Sequence, residues 1–166
     1  HLKNLGRMDE AILAYQRAID TLQPIRQEIA VGLPHQPASF RESLGALFFE
    51  TADLLLQRAD QMTDATKRDK LLFQTRDTIE ALKTAELQDY FKDECVEANK
   101  ARIQAIDKVS ANTAIIYPIL FPDRMAMLMS LGGTIKKITV PVEERVLTEK
   151  IHVFRTLLEK RTTHQY

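Results

Sequence analysis

Few side chains in this chain could do chemistry, and they are scattered. Its single thiol, Cys95, lies in the run Asp93-Glu94-Cys95-Val96-Glu97. A cysteine nucleophile acts as the thiolate and needs a positioned base and an oxyanion site. The three carboxylates around Cys95 work against the thiolate, so the run reads as a structural cysteine, packed or at the surface. His1, His35, His152 and His164 are the four histidines. His152 and His164 stand twelve residues apart, which on a helix is too far for one metal ion. Glu143-Glu144 could serve as a carboxylate pair for acid–base work. They precede an apolar-periodic segment, however, where acidic residues complement a helix dipole. Lys67-Arg68 and Lys136-Lys137 are isolated basic doublets without aromatic neighbours, too little for a nucleic-acid surface. The sequence contains no glycine-rich phosphate loop, no paired-histidine zinc helix and no cysteine pairs at metal spacing. No catalytic, cofactor-binding or metal-binding residue is therefore assigned, and the chain itself is not expected to be an enzyme.

The 166 residues suffice for one ordinary domain or two small ones. Apolar residues make up 45% and charged residues 28%, a globular balance. Lysine plus arginine equals aspartate plus glutamate at 23 each, so no net charge draws the chain to nucleic acid or an anionic membrane. One cysteine cannot make an internal disulfide, which fits a reducing compartment and a cytoplasmic location. The longest uncharged apolar run, 111–122, is too short to span a bilayer and contains a proline. The chain opens at His1 in mid-pattern and reads as an excised piece of a larger protein.

The first ninety or so residues repeat with a helical period. Ile12, Tyr15, Ile19 and Leu22 form the stripe of a first helix, which Pro24 is expected to kink or interrupt and Gly32 to stop. Two prolines mark 31–39 as a loop, and Ser39 with Glu42 forms a capping box for the next helix. That helix spans Phe40 to about Met62, with Phe40, Leu44, Leu47, Thr51, Leu55 and Met62 on one face. Consecutive Leu54, Leu55 and Leu56 mean burial on more than one side. After a turn at 63–65, a third helix reaches about Phe91, with Leu72, Thr75, Ile79, Leu82 and Ala85 inward. Asp77, Glu80, Lys83 and Glu86 form a solvated ladder on its outer side.

The period then changes. Residues 113–120 form a nearly continuous apolar strand, of the kind covered on both faces. Pro122-Asp123 is a turn, and residues 124–131 alternate, placing Met125, Met127, Met129 and Leu131 on one side. Gly132-Gly133 makes a tight hairpin, and residues 134–142 return with Ile138, Val140 and Val142 together. The step from Ile135 to Ile138 breaks the alternation and is expected to be a bulge. Pro141 suits an edge strand or its end. Residues 143–160 form a last helix, with Leu147, Ile151, Phe154 and Leu158 inward, able to cover one sheet face. The methionine side needs cover, at roughly 1.5–3 kcal/mol per side chain. The other face, and two unpaired edges, call for the helical half or a second chain. The expected fold is α+β and mainly α: long antiparallel helices, a three-stranded antiparallel meander and a C-terminal helix.

Gly6, Ala11, Tyr15 and Ala18 follow the spacing of a second tetratricopeptide-repeat (TPR) helix, in which small residues permit close helix approach. No copy recurs at the period of about 34 residues. Further residues carry a wider resemblance: Arg76 to Glu80, Ala85 to Phe91, Asp93-Glu94-Cys95, Ala114 to Pro118, Thr139 to Val142 and Phe154 to Leu158. In this order they resemble the junction between TPR repeats and a CHAT domain, the caspase-like domain found downstream of TPRs in many bacterial proteins. The resemblance implies a TPR-like helical region over 1–94 and the incomplete N-terminal portion of a CHAT domain over 95–166. The family's catalytic histidine and cysteine have no counterpart here and would lie beyond Tyr166. It implies a non-catalytic fragment acting in protein–protein interaction and in regulation of a caspase-like peptidase core. The alternative is a helical scaffold or adaptor whose parent has no peptidase activity. Implied partners are proteins on the helical TPR surface, the remainder of the CHAT domain, and a second copy through an exposed sheet edge or face. Nucleic acid and membrane are not among them. The purified chain is expected to hydrolyse no peptide in a fluorogenic assay. Hydrolysis that Cys95→Ala abolishes would overturn the denial of activity.

Overall fold

Apolar side chains spaced three and four apart build three long helices in the computed structural model, which describes residues 6–32, 40–91 and 113–159. They are α1 (Met8–Gly32), α2 (Phe40–Asp60) and α3 (Ala65–Phe91), followed by strands β1 (Ile115–Leu120), β2 (Met125–Leu131) and β3 (Thr134–Val140) and a last helix, α4 (Glu144–Glu159). The chain is thus α+β and mainly helical. The Ser39 cap, the loop prolines and Cys95 lie outside the described residues.

Buried positions show that the helices run antiparallel. Ala11 and Ile12 of α1 cluster with Leu54 and Leu55 late in α2, whereas Ile19 clusters with Phe48 early in α2 and with Leu82 and Ala85 late in α3. The link between α2 and α3 is closed by Asp64, whose Oδ1 accepts from the amides of Thr66 at 2.9 Å and Lys67 at 3.2 Å. This is an N-cap, satisfying donors that a first helical turn leaves open. All five residues expected inward on α3 are buried. Thr51 and Thr75, fully enclosed, donate their hydroxyls to the carbonyls of Leu47 at 2.7 Å and Leu71 at 2.9 Å. Back-bonding of this kind lets a threonine occupy an apolar helix face.

The interruption expected at Pro24 does not occur. The helix continues through Pro24 to Gly32 without interruption. A proline removes one helical hydrogen bond, a local cost that the turns on either side outlast.

The strands form one sheet in the order β1-β2-β3, antiparallel throughout. Gly132 and Gly133 have φ of +57° and +80° and close a two-residue hairpin between Leu131 and Thr134. Both central residues need the left-handed region, which glycine enters without steric penalty. The pairing of β2 with β3 is continuous from Leu131↔Thr134 to Met125↔Val140. The expected bulge is therefore absent: Ile135 and Ile138 lie on opposite faces because they are three positions apart, an odd step, in an unbroken strand.

The inward face of the sheet is also the reverse of the one expected on β2. Ala126, Leu128 and Ser130 are buried, and Met125, Met127 and Met129 lie on the outer face, only partly covered. Tyr117 and Ile119 of β1 and Ile135 of β3 complete the inner face. They share one core with Ala52, Leu56 and Ala59 of α2 and Leu72 and Ile79 of α3. Small residues on both sides, Ala126 against Ala52 and Ala59, let helix and sheet approach closely, which methionines would prevent. Leu128 has no exposed surface. Its replacement by alanine is expected to cost about 2–5 kcal/mol in urea unfolding followed by circular dichroism. Helices and strands should melt together, while Leu13→Ala, at a half-exposed site on α1, should stay within about 0.5 kcal/mol.

Candidate functional site

Two polar clamps fasten the sheet to α2. Arg124, in the turn that leads from β1 to β2, is paired with Asp53 of α2 and with Asp123 at 2.9 Å. That turn is closed by Phe121 and Arg124, whose backbones exchange hydrogen bonds of 2.8 and 3.3 Å. Gln57 donates to the other oxygen of Asp53 at 2.6 Å, and the Arg124 guanidinium lies 4.8 Å from the centre of the Phe121 ring. Burial works against the charge of Arg124, but the hydrogen bonds and charges of Asp53 and Asp123 outweigh it and raise its pKa. Two turns further along, at the C-terminal end of α2, Asp60 pairs with Lys137, which lies on the inner phase of β3. Charge-assisted pairs at the rim of an apolar contact fix its register.

Helix α1 is held to α2 in the same way. Arg58 grips Asp9 with two contacts, Nε to Oδ1 at 2.8 Å and Nη2 to Oδ2 at 2.9 Å. The Tyr15 hydroxyl donates to Glu50, and that hydrogen bond, followed by burial and the carboxylate's charge, raises the tyrosine pKa. Tyr117, on the inner sheet face, is raised mainly by burial, against which the nearby Arg76 charge acts. Lys83 of the α3 ladder lies 5.7 Å over the Tyr117 ring. Along that ladder, Lys83 pairs with Glu80 at 3.2 Å and Asp77 with Arg76 at 2.7 Å, and Asp77 and Lys83 are exposed as expected.

What remains uncovered is apolar. On the outer sheet face, pairing sets Leu120, Met125 and Val140 in one row, Pro118, Met127 and Ile138 in the next, and Ile116, Met129 and Lys136 in a third. Ile116 is 56% exposed and Ile138 45%. The expectation that β1 is covered on both faces is therefore not met, because the helices reach only one side.

Helix α4 does not supply the missing cover. None of its residues is buried, and Ile151, Phe154 and Leu158, expected inward, are 53%, 61% and 65% exposed. Leu147, Ile151, Phe154 and Leu158 fall four, three and four apart, a two-heptad apolar seam without a partner among the described residues. The periodicity identified the seam correctly, but periodicity says which residues share a face, not what that face meets.

Of the residues weighed for chemistry, only some are described. His152 is exposed on α4, while His1, His35, His164 and Cys95 lie outside the described residues. Lys67 and Arg68 are exposed at the start of α3, and Lys136 is exposed on β3. Glu144 begins α4, as its dipole favours. Among the described residues, no group of three or more histidine, cysteine, aspartate or glutamate side chains could hold a metal ion. No described helix is long and apolar enough to cross a membrane. The functionally interesting residues that the sequence reading missed are Asp53, Asp60 and Arg124. Their pairing spans seventy or so residues and leaves no local signal.

Compared with protein-family models, with curated proteins and with solved structures, the chain matches none.

Removing the Arg124 side chain leaves Asp53 partly buried without its cation. Arg124→Ala is expected to lower unfolding free energy by about 1.5–3 kcal/mol. Arg58→Ala, which breaks a pair whose aspartate is 66% exposed, should cost less than about 1 kcal/mol, and added salt should erase most of that difference.

Proposed function

We propose that the chain is a non-catalytic interaction and regulatory piece of a TPR–CHAT protein. Its helical surface holds protein partners, and its sheet carries the consequence of that binding to a caspase-like peptidase core. The observation that carries this reading is the common core of α2, α3 and all three strands, fastened along the C-terminal half of α2 by Asp53–Arg124 and Asp60–Lys137. A partner that shifts α2 or α3 must shift the sheet too, because packed interiors do not deform continuously. Long antiparallel helices followed by a meander and a helix agree with the order of elements that the TPR–CHAT resemblance implies. A reducing, cytoplasmic setting and partners that are proteins rather than nucleic acid or membrane belong to the same reading.

The reading frame that encodes the parent protein tests it. A His-Gly pair and a later cysteine, each following a strand pattern downstream of Tyr166, are expected. The longer protein should then hydrolyse peptides, and replacing that cysteine should abolish the activity. Absence of both motifs overturns the peptidase role in favour of a helical scaffold capped by the meander.

A further inference from the structure

Among the described residues, two apolar faces that match in size are left uncovered. Sixteen residues of α4 extend about 24 Å at the helical rise, and the seven residues of β2 extend about 23 Å at the strand rise. Three strands spaced about 4.8 Å apart offer a bed roughly 10 Å wide, about one helix diameter. Ile151, Phe154 and Leu158 line the helix face, and Ile116, Met127 and Ile138 the bed.

We infer that these faces cover one another between two copies of the chain: α4 of each copy lies on the outer sheet face of the other. The connection from β3 to α4 is only 141–143, and it begins with Pro141. Proline fixes its own φ and keeps the residue before it extended. The Val142 amide donates to the Val140 carbonyl at 2.8 Å, a tight local turn, and α4 beyond it has no buried residue. A short, stiff hinge that holds an element off its own domain favours exchange of that element with a second copy.

The alternatives fit less well. Helix α4 carries three acidic and three basic side chains, so an anionic membrane gains no net attraction from it. Pairing of two α4 helices through their seams puts Lys150 and Arg155 at the flanks. A parallel pair would oppose Lys150 to the second copy's Arg155, and an antiparallel pair, which escapes that repulsion, would leave the outer sheet face uncovered. Edge-to-edge sheet pairing is discouraged by Pro118 in β1 and by Lys136 and Lys137 in β3, both edge strands. The face remains, and twofold symmetry makes the helix-on-sheet contact twice. Nothing in this exchange requires a peptidase core.

Size-exclusion chromatography with light scattering on the full 166-residue chain, over a concentration series, is expected to show twice the 19.0 kDa mass. Phe154→Glu and, separately, Met127→Glu should each weaken the dimer about 30-fold or more. Circular dichroism should be unchanged, since both positions point away from the shared core. Mixing the two variants leaves one intact helix–sheet contact, and a heterodimer weaker than the wild-type dimer is expected to form. A wild-type chain that stays monomeric overturns the inference, whether α4 is free or has closed on its own sheet. A dimer that survives either substitution overturns it too. Should either variant unfold, the milder pair Leu158→Ala and Ile138→Thr gives the same readout.

Discussion

Burial of the inner sheet face against α2 and α3 is the constraint on which the rest of this structure depends. Leu128 and Ile119, almost without exposed surface, meet Leu56, Leu72 and Ile79 in one core. Helix α2 can serve that core and still hold α1 because three consecutive leucines point in different directions around it. Leu56 faces the sheet-side cluster, and Leu54 and Leu55 face the cluster with Ala11 and Ile12. A helix so placed has no free apolar side, and its charges are confined to the rims. There Asp53, Asp60 and Arg58 meet cations or carboxylates from the β1–β2 turn, β3 and α1.

The same packing decides what the sheet shows to the outside. Strand β2 is apolar in both alternating phases, and the phase with small residues is the one drawn toward the helices. The bulky methionines are left for the outer face, together with Ile116 and Ile138. Flexible methionine side chains adapt to whatever covers them, so that face is suited to association rather than to a rigid core. Helix α4 carries a complementary surplus, with an apolar seam that no described residue buries. The proposed coupling to a peptidase core draws on the inner face, and the inferred exchange between copies draws on the outer one. The two can therefore succeed or fail separately.

The sequence by itself determined where the helices and strands lie, because periods near 3.6 and 2 are local and survive in any context. The inward stripe of α3, the triple-sided leucines of α2, the glycine hairpin and the α+β order were all legible in this way. Pro24 misled because a single lost hydrogen bond does not end a helix held by its neighbours. Only the tertiary structure decided which face of β2 turns inward, since an alternation with two apolar phases has no preference until helices of a given shape approach it. It also decided that α4 stays uncovered and that Arg124 finds Asp53, because both depend on the spatial meeting of segments far apart in the chain.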